Sequence, residues 1–332
     1  MAHNIASVNG QNAIAYIGST PWHGLGTRLR GDVRYSVEQF LAAAHLDWDV
    51  AVEPIFNADG SRLHKGQVVR RVTDNRELAI VGPAYTAVQN RDAASIFDIA
   101  ISEYGASIEV AGALGDGEVC WALARLQGGD TDVTGAGDTV NGYALLKWGH
   151  DGSTGVNGSA TAIRVVCQNT LALAASSDKA TFAKIRHTAS ANDRVKQARG
   201  LFTNLTKTLI ATGDTFAQLA AKRLNEKQII AYIESVFPSD KGVVSDTLKS
   251  RRATVSKLVF SGVGVDKATA LTGGDPNAWS VYNAVTEYFD HVRPAEASSV
   301  AGRDNANVSA LFGGNADVKA LALVKARQLV AA

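Results

Sequence analysis

Residues 107–148 read SIEVAGALGDGEVCWALARLQGGDTDVTGAGDTVNGYALLKW. Three largely apolar stretches, 107–114, 118–127 and 139–148, are separated by turns rich in glycine and aspartate. Apolar runs bounded by turn-forming residues predict β-strands, and short connections favour antiparallel neighbours. This segment therefore predicts a β-meander at the centre of the fold.

Shorter elements flank the meander on both sides. Ser36 and Gln39 form a capping-box pattern at the start of a predicted helix over 37–45. The turn formers at 74–77 predict a hairpin between two apolar runs. The other expectations are strands at 47–56, 68–73, 78–81 and 161–166, a helix over 91–104, a Gly/Ser-rich loop over 149–160, and a change to helix at 168–171.

The apolar period changes to 3.6 after residue 193, which predicts helices. The predicted helices are 193–212, 214–223, 225–236, 243–260, 278–291 and 316–331, with a linker-like stretch at 262–276. We therefore predict an α+β fold in which an antiparallel β-meander packs on helices. The predicted division is an α+β sheet domain over 1–180 and a mainly helical domain or extension over 181–332.

Composition places the chain among globular proteins, because 46% of its 332 residues are hydrophobic and 20% are charged. No apolar run reaches the length of a membrane helix, and the first residues lack the pattern of a signal peptide. Two cysteines, Cys120 and Cys167, predict neither a disulfide framework nor a structural zinc site. A soluble, intracellular protein without a membrane partner is expected.

The near-neutral total charge conceals a basic segment. Residues 1–180 contain 13 Lys+Arg and 19 Asp+Glu, whereas residues 181–260 contain 14 Lys+Arg and 6 Asp+Glu. A basic segment between acidic flanks indicates a polyanion partner, although solvated helices rich in lysine would give the same count.

The common catalytic patterns are absent from the sequence: GxGxxG after a strand, GxxxxGK[ST], GxSxG and HExxH. His150, Asp151 and Ser153 are a candidate hydrolytic group, but neighbouring loop residues do not face one another, so a preformed triad is not expected. The sequence therefore predicts a protein that is not an enzyme, with no catalytic residues, no metal site and no cofactor.

Basic, aromatic and amide residues around the last strands predict a nucleic-acid interface. Cations follow phosphates, an aromatic ring stacks on bases, and amides donate hydrogen bonds. Two alternatives stay open: Arg164 neutralises a buried carboxylate such as Glu118 or Asp98, and Trp148 is an ordinary core residue. The predicted nucleic-acid-binding residues are Arg70, Arg71, Lys147, Trp148, His150, Arg164, Gln168, Asn169, Lys184, Arg186, Arg194 and Lys196.

Five motifs together resemble one known family. They are TPWHGLG at 20–26, YTAVQN at 85–90, HDGS at 150–153, RVVCQNTL at 164–171 and NAVTEY at 283–288. This combination resembles the phage- and plasmid-like proteins of domain-of-unknown-function family 932. The resemblance implies a protein encoded on a mobile element and acting in the cytoplasm of a bacterial host, and it carries no catalytic assignment.

The predicted element order has a weaker likeness to a second group. A hairpin, a helix, a meander, a strand and a helix in succession are similar to the core of the single-strand annealing proteins of phage recombination. That likeness is one of topology, so its functional content is an analogy. It implies a ring-shaped homo-oligomer that binds single-stranded DNA in a basic groove.

These observations give one leading hypothesis and two alternatives. The leading hypothesis is a single-stranded-DNA-binding recombination protein of a phage or plasmid, extended to strand annealing, that acts as a homo-oligomer. The first alternative is an anti-defence or host-takeover protein that binds a host protein through its acidic sheet half and the TPWHGLG arm. The second is a metal-dependent nucleic-acid enzyme that uses His150 and Asp151.

Overall fold

The predicted meander forms the middle of a nine-stranded sheet. The computed structural model describes residues 5–18, 25–164, 169–171, 181–186, 193, 203–240, 242–299, 302–303, 305–306, 309–310 and 313–331. Within these residues the chain is mixed α+β, with antiparallel sheets followed by a helical C-terminal half. The predicted fold class is confirmed.

The strands are β1 (Ser7–Val8), β2 (Gln11–Asn12), β3 (Ile14–Ile17), β4 (Thr27–Leu29), β5 (Val50–Phe56), β6 (Arg62–Arg71), β7 (Arg76–Val81), β8 (Ser107–Leu114), β9 (Val119–Arg125), β10 (Thr131–Asp132), β11 (Thr139–Gly149), β12 (Val156–Arg164), β13 (Asn169–Leu171) and β14 (Thr181–Ile185). The helices are α1 (Val37–Ala43), α2 (Asn90–Ala94), α3 (Ile96–Tyr104), α4 (Thr203–Ala221), α5 (Glu226–Val236), α6 (Asp246–Ser261), α7 (Val265–Ala268), α8 (Ala278–Glu287), α9 (Arg293–Ala295) and α10 (Gly314–Ala331). A 3-10 turn (Ala270–Thr272) precedes α8, and a π-helical turn (Tyr288–Val292) follows it.

The large sheet has the order β13-β12-β11-β9-β8-β3-β4, with β10 on β11 and β14 on β12. Its pairs are antiparallel except for β3 with β4. β5, β6 and β7 form a separate three-stranded sheet that contains the predicted hairpin. Because β14 joins β12, the large sheet continues past residue 180 into the basic segment.

Two local predictions at the end of the sheet are wrong. β12 begins at Val156, inside the stretch predicted as a loop, and residues 169–171 form β13 rather than the start of a helix. Glycine, serine and alanine dominate the first half of β12, a composition typical of loops. In the structure β12 is held by β11 on one edge and by β13 and β14 on the other, so its neighbours override that local preference.

The helices differ from the prediction in three places: α7 and the 3-10 turn lie within the stretch 262–276 that was predicted as a linker, and the other two differences have local causes. α1 begins at the predicted capping box of Ser36 and Gln39. The predicted helix over 91–104 is interrupted at Ser95, whose hydroxyl donates to the carbonyl of Asp92 and competes with the helix ladder. α4 continues through Gly213, where any Cβ would lie 2.4 Å from Oγ1 of Thr131, so the glycine lets the helix approach β10.

One face of the large sheet is covered by helices. α1, α2 and α3 pack there on small strand residues, among them Ala111, Ala122 and Ala144. Phe216 of α4 and Trp279 of α8 belong to a second buried cluster, which also includes Val133, Val140 and Ala162 of the sheet half. The C-terminal helices thus bury their apolar faces on the end of the same sheet.

Candidate nucleic-acid interface

Two of the predicted contact residues, Trp148 and His150, lie in the core with no exposed surface. Trp148 donates from Nε1 to Oδ1 of Asn90 over 2.7 Å, and Nε2 of His150 lies 2.9 Å from the same oxygen. The amide of Asn90 donates in turn to the carbonyls of Leu46 and Trp48. The prediction that Trp148 or His150 stacks on a base is therefore wrong, and the alternative reading of Trp148 as a core residue is correct.

The HDGS motif forms a closed turn after β11 rather than a catalytic group. The carboxylate of Asp151 accepts hydrogen bonds from the backbone amides and the hydroxyls of Ser153 and Thr154, at 2.6–2.9 Å. Burial acts to raise the pKa of Asp151, but these hydrogen bonds outweigh it and lower the pKa. Because His150 bonds to Asn90 and Asp151 bonds within its turn, the two side chains do not converge on a common site.

Arg71 is also buried, with 1% of its surface exposed. Its guanidinium donates to both oxygens of Asp74 at 2.7 and 2.6 Å and to the carbonyl of Asp116 at 2.7 Å. It also lies over the ring of Trp48, 5.3 Å from the centroid. The prediction that Arg71 contacts a phosphate is wrong, since its donors are used inside the protein.

Arg70 points to the other face of the three-stranded sheet, as strand alternation predicts. It forms ion pairs with Glu53 at 3.2 Å and Glu77 at 3.1 Å and donates to the carbonyl of Asn75. Only 21% of its side chain is exposed. Two carboxylates neutralise its charge, so we remove Arg70 from the predicted interface.

The remaining predicted residues fall into three groups. Lys147 is half-buried in β11, and Arg186 is exposed directly after β14. Arg164 pairs with Val140 and Asn169, and Lys184 pairs with Asn157. Gln168, Arg194 and Lys196 lie outside the described residues.

The register separates Lys147 from Arg164. The β11–β12 pairing runs without a shift from Val140 opposite Arg164 to Lys147 opposite Asn157. Successive residues of a strand alternate between faces, so positions 140 and 147 lie on opposite faces of the sheet. Arg164 and its partner Asn169 therefore do not share a face with Lys147, and the predicted surface is divided in two.

Lys147 belongs to a cross-strand row on the face of the sheet opposite α1–α3. We call this the open face; its described side chains on β9, β11 and β12 are half-buried, except Asn141 and Tyr143, which are buried. Lys147 pairs with Trp121 of β9 on one side and with Asn157 of β12 on the other, and Asn157 pairs with Lys184 of β14. Residues directly opposite each other in a ladder share a face. The row thus aligns an indole, an amide and two lysine positions across four strands.

Trp121 was not singled out from the sequence, and the composition of β9 explains why. The residues of β9 that face the helices are small, namely Cys120, Ala122 and Ala124, and all are buried. Larger apolar residues, Trp121 and Leu123, occupy the half-buried alternate positions. If the larger apolar side chains of β9 were taken to face the core, the wrong face of the strand would be assigned to it. Only the observed packing shows that Trp121 and Leu123 lie on the open face.

Polar residues dominate β12 on the open face. Asn157, Ser159 and Thr161 alternate along the strand, and each is half-buried. Every second residue of a strand is spaced by about 6.7 Å, so these side chains form a regular line of hydrogen-bonding groups.

An ionic network with one more carboxylate than cations lies at one end of the open face. Arg125 forms an ion pair with Asp130 at 2.7 Å and approaches Glu109 at 3.8 Å, and Tyr143 donates to Glu109 at 2.8 Å. The hydrogen bond with Asp130 raises the pKa of Arg125, while burial raises the pKa of the Tyr143 hydroxyl. Because Arg125 faces two carboxylates, its charge is compensated within the protein.

The described part of the chain contains no metal-binding cluster, no exposed thiol and no membrane-spanning helix. No three His, Cys, Asp or Glu side chains come together there in a way that could hold a metal ion. Cys120 is fully buried, and burial raises the pKa of its thiol. None of the described helices is both long enough and apolar enough to cross a bilayer.

The fold and the open face describe a mixed α+β protein with one sheet face covered by helices and the other offering a row of basic, aromatic and amide residues. Residues 77–311, which are most of the chain, match the model of the family described as "Domain of unknown function (DUF932)". The chain therefore belongs to this family, as its motifs indicated. No curated protein and no solved structure matches the chain.

Proposed function

We propose that this protein binds single-stranded DNA on the open face of its large sheet. The observation that supports the proposal most directly is the row in which Lys147 and Lys184 flank Asn157. Two lysine positions separated by one strand provide cations for phosphates, and the amide between them provides a hydrogen-bonding group for backbone oxygens. Arg186 extends the positive charge at the end of β14.

An open sheet face suits a single strand for a physical reason. Unpaired bases offer flat apolar surfaces and free edges, and a sheet presents side chains at regular spacing to contact them. Base-independent contacts of this kind suit a recombination protein of a phage or plasmid in the bacterial cytoplasm. In a homo-oligomer, adjacent faces would hold one strand extended and ready to pair with a second, which is the annealing step.

The first test is binding of a labelled oligo(dT) measured by fluorescence anisotropy across a salt series. The wild type should bind with an affinity that falls steeply with salt. Lys147→Ala/Lys184→Ala should weaken binding to every sequence and reduce the log–log salt slope by about 0.7 for each lost phosphate contact. Equal binding by the variant and the wild type would contradict the assignment of the site.

The matched control is Lys227→Ala/Lys257→Ala, which removes the same charge from exposed positions of α5 and α6. This variant should keep the wild-type affinity and slope. An equal loss in both double variants would indicate an effect of net charge alone. A wild type that binds no oligonucleotide at low salt would overturn the proposed function altogether.

A protein partner is the second candidate function, favoured by apolar residues on the three-stranded sheet. Ile80 is 75% exposed, and Leu63, Ile55 and Ile80 all lie within 4 Å of the position that a Cβ on Gly66 would occupy. Contiguous exposed apolar surface is typical of interaction sites. A partner from host lysate that is retained at high salt by the wild type but lost by Ile80→Ser would support this function.

A further inference from the structure

The open face changes character from one side of Trp121 to the other. On the β3–β8 side, Ile5, Ile14 and Leu114 form a small buried apolar cluster against which Trp121 packs. On the other side, Trp121 is directly opposite Lys147. Trp121 therefore lies at the boundary between an apolar region and a cationic, polar one.

The row from Trp121 to Lys184 is about as long as a nucleotide. Three interstrand spacings separate Trp121 in β9 from Lys184 in β14, a distance of about 14 Å. A nucleotide is itself amphipathic across a comparable width, with an anionic phosphate at one end and a flat base at the other. A ligand with this polarity can place its base on Trp121 and its phosphate at the lysine positions at the same time.

We propose that Trp121 stacks on an unpaired base, while Lys147 and Lys184 hold phosphates of the same strand. The inference rests on the proposed function and adds an orientation to it: bases point toward β9, and the backbone follows β12 and β14. Because every base has a stacking face, the site accepts any sequence. A duplex hides its base faces, so the same site discriminates against double strands.

The polar line on β12 agrees with this orientation. Asn157, Ser159 and Thr161 lie between the indole and the outer lysine position, where sugars and phosphate oxygens would pass. Hydroxyl groups donate to such oxygens without reading base identity, and so does the amide of Asn157, whose Nδ2 also donates to the carbonyl of Gly155 at 2.8 Å. None of these residues occupies the position that the proposal assigns to the base.

The test compares two ligands of equal length, a labelled oligo(dT) and a labelled abasic strand. Trp121→Ala should weaken oligo(dT) binding about 5- to 100-fold, since stacking on one base contributes roughly that factor. It should leave abasic-strand binding and the salt slope unchanged. Trp121→Phe keeps a ring and should retain most of the oligo(dT) affinity.

Leu145→Ala is the control variant, because Leu145 lies on the open face, is half-buried and carries no ring. It should bind both ligands as the wild type does. Quenching of tryptophan emission on adding oligo(dT) gives a second readout, which Trp121→Phe should reduce. Since Trp121→Phe keeps the packing of the site, this readout does not depend on Trp121→Ala folding.

The outcomes separate the two proposals. If the wild type binds neither ligand, the proposed function is overturned and the inference falls with it. If the wild type binds both ligands and Trp121→Ala leaves oligo(dT) affinity unchanged, or weakens both ligands equally, the stacking role is overturned while DNA binding stands. Binding of phosphatidylserine vesicles but not of oligo(dT), lost in Trp121→Ala, would replace the strand with a lipid surface and overturn both.

Discussion

Trp279 donates a hydrogen bond from its indole Nε1 to Oδ2 of Asp138 over 2.8 Å, across 141 residues of chain. Both side chains are completely buried. The bond joins the first turn of α8 to the turn between β10 and β11. A second contact reinforces the junction, because the ammonium of Lys267 donates to the carbonyl of Gly137 at 3.3 Å.

The first prediction concerns this junction. Trp279→Phe removes a donor from a buried carboxylate and should lower the free energy of unfolding by about 2 kcal/mol. Because the buried cluster of the helices includes strand residues, helix ellipticity and tryptophan emission should change together in a urea titration. Two separated transitions in the wild type would show that the halves unfold independently and would contradict this account.

The second prediction concerns Asn90, which connects β11 to the segment before β5. Asn90→Ala leaves the indole of Trp148, the ring of His150 and two backbone carbonyls without this partner. Buried polar groups that lose a partner are costly, so the free energy of unfolding should fall by about 3 kcal/mol in a urea titration. Asn57→Ala, at an exposed loop position, should change it by less than about 0.5 kcal/mol.

The third prediction concerns acid stability. The hydrogen bond from Arg71 lowers the pKa of Asp74 in the folded protein. A carboxyl with a depressed folded pKa stabilises the fold above its unfolded pKa of about 3.9, and this stabilisation is lost as the pH falls through the folded pKa. Unfolding midpoints measured from pH 6 downward should therefore drop more steeply for the wild type than for Asp74→Asn. Parallel curves for the two proteins would refute this role of Asp74.

The fourth prediction concerns Gly142, at the point where β11 meets α4. A Cβ at this position would lie 2.7 Å from the carbonyl oxygen of Gly129 and from Leu209, so the backbone must shift. Gly142→Ala should lower the stability by about 1–3 kcal/mol, seen as a lower thermal midpoint. Gly82→Ala meets nothing within 4 Å and should keep the wild-type midpoint. Equal midpoints for the two variants would show that β11 and α4 separate easily.

Local signals in the sequence were sufficient for most of the fold. The Ser36–Gln39 capping box placed α1, and alternation with glycine-rich turns placed β8, β9 and β11. These signals depend only on residues close together in the sequence, so long-range packing does not override them. β13 and β14 were missed because they are strands only by virtue of pairing with β12, a contact that no local pattern encodes.

The candidate site was predicted less well, since it depends on which face each strand buries. Trp148 and Lys147 are neighbours in sequence, yet one is in the core and the other lies on the open face. Sequence reasoning grouped them because both residue types suit nucleic acid. Trp121 takes the aromatic position instead, and its pairing with Lys147 is known only from the register.

Asn90 and His150 belong to the YTAVQN and HDGS motifs that carry the family resemblance, and both lie in the buried core, where they bond to each other. A relative that keeps YTAVQN and HDGS should therefore keep this buried contact, whatever ligand it binds. Divergence in ligand choice is instead expected at positions 121, 147 and 157, which lie on the open face of the sheet. Relatives that differ at those three positions should therefore differ in the ligand that they bind.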